Sequence, residues 1–493
     1  MKKVYLFKGE RWSIVPHPKR LPKGEYYLRG PFNFSKANFL MKIYNLLPFT
    51  FLSFVWQKKS FIFVQKGDPK TKEKRPGLLR PLYSAEDWNY GDYVFCGISG
   101  IRWRCLRCGS FNVDTEKCPL CQRKTCRVCL DCYQINPIRS CQLYLWQTPT
   151  YSRPTIVKPL IPFSLTKGQI QAQKELSDLL QKGKKKLLLH AACGAGKTEV
   201  AATLMAQTLA SGGRVLYAVP RRDVAIEVGE RLRQYFPSFA TVILYGGSKE
   251  KYSSERIVAA TTHQVLKFYQ AFDLTILDEG DAFPFKDNSL LINAVNKATR
   301  GSLVYMTATP TKSIKAQFKK EDIVFLPARH HKKPLPIPQI CKASLESVLK
   351  KVSPPLLLFV PFKRDVDKMV VFLQKELPQW KIKGISSETK ERSQLVRYIK
   401  CGTIDALVST SVLERGITVD DVSVLVYNAD YEKIYTKEVL VQIAGRAGRT
   451  TEHPDGLVIF IAKKVTKAMK DAQKEIISLN EMAKNRGEID ILC

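Results

Sequence analysis

Short apolar runs alternate with longer mixed stretches along the chain from about residue 160 onward. Such runs are typical of buried strands, and the stretches between them are long enough for crossover helices, so the pattern predicts parallel sheets covered by helices. The first series of predicted strands comprises residues 187–190, 215–219, 242–245, 257–260, 274–277 and 303–306. The second series comprises residues 356–360, 382–385, 407–409, 422–426 and 458–461. A proline cluster at residues 334–338 separates the two series and predicts a short, stiff hinge between two α/β lobes.

The part of the chain before residue 149 lacks this rhythm. Residues 1–95 mix aromatic and basic side chains without a periodicity that predicts helices or strands, and we assign them as a basic N-terminal region of unknown role. Residues 66–77 have the charge and the proline and glycine content of an exposed loop, either solvated or in contact with nucleic acid. Residues 96–148 are rich in cysteine and form a candidate module of their own.

The charge of the chain narrows the choice of partner. Lys and Arg outnumber Asp and Glu by 79 to 45, and the net charge is +34. This excess predicts a polyanionic partner, either nucleic acid or an acidic membrane surface. The hydrophobic fraction of 45% and the charged fraction of 25% are typical of a folded globular protein.

A membrane-spanning segment is not predicted. The longest apolar stretch, at residues 46–56, is followed by Lys58 and Lys59 and is too short for a spanning helix. The first ten residues lack the apolar stretch of a secretory signal. We therefore expect a soluble, cytoplasmic protein.

A glycine-rich loop follows the first predicted strand and precedes a helix-compatible segment. Glycines allow backbone N–H groups to face a bound phosphate, and the helix N-terminus favours negative charge. In this pattern Lys197 reaches the β- and γ-phosphates and Thr198 binds Mg²⁺. The first residue is alanine where the usual pattern has glycine. The candidate nucleotide-binding residues are Ala191, Ala192, Cys193, Gly194, Ala195, Gly196, Lys197 and Thr198.

Two adjacent carboxylates end the predicted strand at residues 274–277. In-line phosphoryl transfer needs one carboxylate to hold Mg²⁺ and another to activate the attacking water. We assign these roles to Asp278 and Glu279.

Two arginines of the second lobe are candidates for stabilising the transferring phosphate. A guanidinium is always charged and presents a planar fork of donors to phosphate oxygens. Arg446 and Arg449 are three residues apart, and this spacing predicts that they lie on the same side of a helix.

Residues 160–465 resemble the superfamily 2 helicases, which include the DEAD-box proteins. The matching motifs occur in order at residues 165–169, 191–198, 220–224, 261–266, 278–281, 307–309, 409–417 and 441–449. The resemblance implies two tandem RecA-like lobes, an ATP-binding lobe at 160–332 and a C-terminal lobe at 340–493. It also implies ATP and Mg²⁺ as cofactors, Gln169 as the residue that reads adenine, and an ATP-driven motor on a nucleic-acid strand.

The chain also resembles the ComFA family, the late-competence DNA-uptake ATPases of Gram-positive bacteria. The resemblance covers roughly residues 100–485, and Gly280 stands where that family usually has valine. It implies single-stranded DNA and the DNA-uptake machinery at the inner face of the membrane as partners, and a peripheral location there. The segments that carry it are the cysteine cluster and residues 193–199, 260–264, 281–284, 327–336, 413–416 and 442–446.

The cysteine cluster has the spacing of a zinc module. Nine of the 13 cysteines lie between residues 96 and 141, and Cys-X-X-Cys pairs in a chain without a secretory signal predict metal binding rather than disulfides. The pairs are Cys105/Cys108, Cys118/Cys121, Cys126/Cys129 and Cys129/Cys132. The ComFA resemblance implies that Cys105, Cys108, Cys129 and Cys132 bind one structural zinc ion. Spacing leaves open whether Cys118, Cys121 and Cys126 bind a second ion with Cys141 or Cys96.

Basic and aromatic residues accompany these cysteines. Arg102, Trp103, Arg104 and Arg107 are candidates for contact with a single strand, because stacking of bases on aromatic rings tolerates any sequence. Two other functions remain as alternatives to a DNA translocase. One is a primosome-type DNA helicase or an RNA helicase, and the other is a non-catalytic nucleic-acid-binding scaffold.

Overall fold

The computed structural model describes most of the chain from residue 103 onward and six strands before it. The described residues are 3–8, 11–16, 61–63, 80–81, 92–96, 98–99, 103–120, 122, 124–133, 137–141, 143–147, 153–252, 254–285, 288–386, 388–389, 391–410 and 419–490. They divide into two compact units. One unit contains residues 1–158, 205–277 and 282–303, and the other contains residues 159–204, 278–281 and 304–493.

The strands before residue 150 are short and antiparallel. β3, β5, β10 and β4 form a four-stranded sheet in that order, and the remaining six strands form three pairs, β1 with β2, β6 with β7 and β8 with β9. The strands are β1 (Lys3–Lys8), β2 (Arg11–Pro16), β3 (Phe61–Phe63), β4 (Arg80–Pro81), β5 (Asp92–Cys96), β6 (Ile98–Ser99), β7 (Arg104–Cys105), β8 (Val113–Glu116), β9 (Cys126–Cys129) and β10 (Leu143–Gln147).

The next seven strands form one sheet in the order β13-β14-β12-β15-β16-β11-β17. They are β11 (Lys186–Ala191), β12 (Val215–Val219), β13 (Thr241–Leu244), β14 (Ile257–Thr261), β15 (Phe272–Asp278), β16 (Thr299–Thr307) and β17 (Ile323–Leu326). β12 pairs in parallel with β14 and with β15, and β11 pairs in parallel with β17. Every residue of β12 and β14 is buried, as expected of a parallel sheet covered on both faces.

The last six strands form a second parallel sheet in the order β18-β23-β22-β19-β21-β20. They are β18 (Gln339–Cys341), β19 (Leu356–Phe359), β20 (Ile382–Ile385), β21 (Ala406–Ser409), β22 (Ser423–Val426) and β23 (Val458–Ile461). Leu356 and Leu358 of β19 are fully buried in its aliphatic core. The predicted fold class, two RecA-like parallel-sheet lobes behind a cysteine-rich module, is confirmed, whereas the domain boundaries given above stay predictions.

Helices connect the strands of both sheets. They are α1 (Lys167–Gln181), α2 (Lys197–Ala210), α3 (Arg222–Tyr235), α4 (Thr262–Val265), α5 (Ser289–Ala298), α6 (Lys312–Lys315), α7 (Leu345–Leu349), α8 (Arg364–Glu376), α9 (Arg392–Lys400), α10 (Lys437–Ala444) and α11 (Lys467–Asn485), with a 3₁₀ turn at Lys320–Asp322. Among the described residues, no helix is both long enough and apolar enough to cross a membrane.

A half-buried carboxylate on α11 connects the strand that leads to the glycine-rich loop with α10. Glu475 lies 3.3 Å from His190 of β11, 3.4 Å from Lys437 of α10 and 3.9 Å from Lys315. Burial alone would raise the pKa of Glu475, but the hydrogen bond with His190 and the charges of Lys437 and Lys315 lower it to about 2. Glu475 therefore stays ionised and holds these elements together at neutral pH.

Candidate nucleotide site and cysteine module

The glycine-rich loop joins β11 to α2, as the sequence predicts. Gly194 and Gly196 both have φ of +81°, a left-handed conformation that other residues adopt only with strain. This conformation turns successive backbone N–H groups toward one side and forms an anion-binding concavity. Lys197 and Thr198 are the first two residues of α2, so the N-terminal end of the helix dipole meets the same concavity.

Gln169 supports this loop from α1. Its side-chain Oε1 accepts a hydrogen bond from the Thr166 backbone N–H at 2.9 Å, and its Nε2 donates to the Ala195 carbonyl at 2.9 Å. A Cβ atom added at Gly196 would lie 2.2 Å from Gln169 Nε2, so the contact also requires glycine at that position. The Gln169 side-chain Oε1 and Nε2 each retain one further hydrogen-bonding position. An adenine read by Gln169 would have to use these two positions.

The two candidate carboxylates occupy the end of β15 and the turn after it. Asp278 is the last residue of the strand and is buried, with 6% exposure. Glu279 has φ of +56°, and its backbone N–H donates to the Met306 carbonyl at 3.0 Å. The turn therefore brings the carboxylates to the carboxyl edge of the sheet, where parallel α/β proteins bind ligands.

Asp281 begins a chain of polar contacts that ends at the glycine-rich loop. Its two carboxylate oxygens accept hydrogen bonds from the hydroxyls of Thr307 and Thr309, each at 2.6 Å. Gln442 of α10 donates from Nε2 to the Thr309 hydroxyl at 3.1 Å. Its Oε1 lies 3.9 Å from Cys193 Sγ, close enough for a weak S–H hydrogen bond. Four of the predicted helicase motifs thus share one buried polar chain.

Arg446 and Arg449 do not lie on a helix, so that prediction is wrong. α10 ends at Ala444 with Gly445 as its C-cap, and both arginines belong to the loop that follows. Gly448 in this loop has φ of +59°, which is incompatible with a continuing helix. Arg446 is buried at 3% exposure, and Arg449 is half-buried and donates from Nε to the Gly445 carbonyl at 2.7 Å.

Arg329 holds that loop against the glycine-rich loop, a role that the sequence did not predict. Its guanidinium donates from Nε to the Cys193 carbonyl at 2.9 Å, and from its terminal nitrogens to the carbonyls of Gly445, Ala447 and Gly448. Arg329 is 1% exposed, and burial together with the neighbouring charge of Arg449 lowers its pKa to about 9. In the sequence, Arg329 was marked by its position within residues 327–336, one of the segments that carry the ComFA resemblance.

The four predicted zinc ligands lie together in the N-terminal unit. Their Sγ atoms are all within 4.8 Å of one another, and all four side chains have 0% exposure. Four buried sulfur ligands that converge on one point are the donor set of a structural zinc site, so the residues present fit the ion.

A lysine of α5 anchors this cysteine cluster. Lys297 donates from Nζ to the Cys105 carbonyl at 3.3 Å and also to the Leu106 carbonyl. Burial and the nearby charge of Arg104 lower the pKa of Lys297 to about 8. The contact links the cysteine module to the first lobe. The sequence did not predict it, because an isolated lysine belongs to no recognisable motif.

The predicted basic and aromatic residues of the module are partly used within it. Trp103 is 40% exposed, and the guanidinium carbon of Arg127 lies 4.0 Å from its ring centroid. Arg104 donates to the Gly109 carbonyl at 2.9 Å, and Arg107 donates to the Cys132 carbonyl at 3.4 Å. The other predicted residues fall outside the described parts of the chain, namely Arg102, Cys121, the side chain of Cys96 and residues 411–417.

Comparison with known proteins identifies the family. Residues 162–312 match the family described as the res subunit of type III restriction enzymes, and residues 339–451 match the helicase conserved C-terminal domain. The chain is 26% identical over 339 residues to the ATP-dependent DNA helicase RecG of Staphylococcus epidermidis, covering 62% of this chain and 49% of that one. It is 34% identical over 406 residues to competence protein ComFA of Streptococcus pneumoniae, covering 77% of this chain and 90% of that one. For competence protein ComFA of Bacillus subtilis the identity is 35% over 415 residues, covering 78% and 87%. The chain therefore belongs to the ComFA family of competence proteins, which are built on a superfamily 2 helicase core.

Proposed function

We propose that this helicase-type ATPase moves along single-stranded DNA and helps to pull transforming DNA into the cytoplasm. In this proposal the protein acts at the inner face of the membrane, together with the DNA-uptake machinery. The family membership supports a role in competence, and the net charge of +34 supports a polyanionic partner.

The polar chain from Asp281 to Cys193 is the observation that carries the motor assignment. It connects Asp281, two residues after the candidate catalytic Glu279, to Thr309, then to Gln442, and from there to the glycine-rich loop. Buried polar networks are costly when only partly satisfied, so a change at one end favours rearrangement at the other. Such a connection supports the coupling of nucleotide state to movement of the second lobe.

We assign the following roles to the residues of the candidate nucleotide site. Lys197 neutralises charge on the transferred phosphate, Thr198 and Asp278 bind Mg²⁺, and Glu279 activates the attacking water. Bound Mg²⁺ supplies charge neutralisation at the phosphate oxygens. Arg446 and Arg449 stabilise negative charge on the γ-phosphate from the second lobe.

The cysteine quartet of Cys105, Cys108, Cys129 and Cys132 binds a structural zinc ion in this proposal. Four thiolates leave no open coordination position for substrate or water, so the ion holds the fold together. The exposed face of Trp103 beside Arg127 supports a contact of the module with unpaired bases.

Substitutions at the phosphate site test hydrolysis. Lys197→Ala removes the cation at the transferred phosphate, and Glu279→Gln keeps the shape of the side chain but removes its basicity. We expect each to lower ATP turnover at least about 100-fold, with nucleotide binding retained in Glu279→Gln. The exposed Lys185→Ala and Glu376→Gln are matched controls and should keep full activity. Near wild-type turnover in either site variant would contradict the assignment.

Single-stranded DNA should stimulate ATP hydrolysis, with little preference for sequence. The apparent affinity for DNA should fall steeply between about 50 and 200 mM salt, because binding releases counterions. Arg446→Ala should still bind the strand but lose the stimulation, since its proposed role is toward the γ-phosphate. Turnover that does not respond to single-stranded DNA at low salt would refute the proposal, and much stronger stimulation by RNA would favour an RNA helicase.

Metal analysis tests the cysteine quartet. Zinc should co-purify with the full chain, and Cys105→Ala or Cys132→Ala should each lose one zinc ion relative to the wild-type protein. The exposed Cys401→Ser is the matched control and should lose none. If Cys105→Ala and Cys132→Ala keep the full zinc content, these ligands are wrongly assigned.

A further inference from the structure

Three cysteines outside the quartet form a second cluster. The Sγ atoms of Cys118, Cys126 and Cys141 all lie within 4.8 Å of one another, and those of Cys118 and Cys141 are 3.6 Å apart. A disulfide would need a separation of about 2.05 Å. Two thiolates on one tetrahedral zinc ion, at Zn–S distances of about 2.3 Å, lie roughly 3.8 Å apart. The observed spacing therefore matches shared metal ligation.

The backbone around Cys118 repeats the turn of the first zinc knuckle. In the quartet, the Gly109 N–H donates to the Cys105 carbonyl at 2.9 Å, and Gly109 has φ of +75°. Four residues after Cys118, the Gln122 N–H donates to the Cys118 carbonyl at 2.8 Å, and Gln122 has φ of +57°. A non-glycine residue rarely adopts this conformation, so the turn is held by something in its surroundings.

Strand β9 separates the two clusters. It begins at Cys126 and ends at Cys129, and these residues are an odd number of positions apart. Side chains at such positions point to opposite faces of a strand. Cys129 therefore joins the quartet on one face, whereas Cys126 joins Cys118 and Cys141 on the other.

We propose that the module holds a second zinc ion, bound by Cys118, Cys126 and Cys141. Cys121 follows Cys118 at the spacing of Cys108 after Cys105, and it lies outside the described residues. Because Cys118 lies between β8 and β9, Cys126 on β9 and Cys141 just before β10, this ion joins these three segments. The inference concerns metal content alone and stands apart from the proposed ATPase function.

Zinc stoichiometry of the full-length protein is the direct test. The wild-type chain should contain two zinc ions, Cys126→Ser or Cys141→Ser one, and the exposed Cys401→Ser control two. Cys105→Ser should retain one ion, because the second cluster shares no ligand with the quartet.

Cobalt titration of the metal-free wild-type chain gives a readout that needs no variant. Thiolate-to-cobalt absorption should rise until two equivalents are bound. Saturation at one equivalent, or two zinc ions remaining in both Cys126→Ser and Cys141→Ser, would overturn the proposal.

The contacts of Arg329 carry a second, independent inference. Its guanidinium is bound by four carbonyls, one from the glycine-rich loop and three from the loop after α10. His331 Nε2 lies 3.0 Å from one of these, the Gly448 carbonyl. A Cβ atom added at Gly445 would lie 2.5 Å from Cys193 Cβ, so the two loops touch directly beside the guanidinium.

We infer that Arg329 is a positioning residue that couples DNA binding to ATP hydrolysis by setting the distance between these loops. The inference rests on the proposed function, since it assigns how Arg446 and Arg449 reach a nucleotide in the glycine-rich loop. A lysine cannot replace the guanidinium, because its single ammonium lacks the planar fork that meets several carbonyls at once.

The stimulation ratio, turnover with single-stranded DNA divided by turnover without it, tests this inference. Arg329→Lys should lower the ratio at least about fivefold, whereas Arg214→Lys, at a buried arginine directly before β12, should leave it unchanged. A purely structural role would lower both rates equally and preserve the ratio.

Gly445→Ala pushes the same two loops apart while the Arg329 side chain is kept, and this variant replaces Arg329→Lys as the test if Arg329→Lys does not fold. An unchanged ratio in a folded variant of either kind would overturn the coupling role. Absence of stimulation in the wild-type protein would instead contradict the proposed function.

Discussion

The arrangement of the glycine-rich loop and the loop after α10 depends on one buried guanidinium, that of Arg329. Arg329 is 1% exposed, and a buried charge without hydrogen-bond partners costs several kcal/mol. All four of its acceptors are backbone carbonyls, which reach it only in one arrangement of the two loops. The same arrangement requires glycine at position 445, where a side chain would collide with Cys193. The conformation of the candidate phosphate site is therefore fixed partly from the second lobe.

The other polar contacts of the site follow from this constraint. With α10 held in place, Gln442 reaches both Thr309 and Cys193, and Thr309 completes the pairing of Asp281. Glu475 pairs with His190 of β11 and with Lys437, the first residue of α10. Because these contacts join the glycine-rich loop and its strand to α10, a change at a bound nucleotide has a direct route to the second lobe.

The sequence predicted the features that depend on local pattern. The central strands were placed to within a few residues, because each is a predominantly apolar run. Two edge strands, β17 and β18, were missed because Ile323–Leu326 alternates buried and half-buried residues and Gln339–Cys341 is barely covered. The loop position of Arg446 and Arg449 was missed because a three-residue spacing does not reveal that Gly445 and Gly448 end the helix. Arg329 and Lys297 act through carbonyls distant in sequence, and no spacing encodes such contacts.

Movement along a single strand is the central claim, and displacement of streptavidin from one end of a biotinylated DNA strand measures it most directly. We expect ATP to accelerate displacement from one end of the strand, and neither ADP nor a non-hydrolysable analogue to do so. The Glu279→Gln variant should bind the strand without displacing streptavidin. If the wild-type protein hydrolyses ATP on single-stranded DNA but displaces streptavidin no faster than without ATP, the protein is a DNA-stimulated ATPase and the translocase account is contradicted.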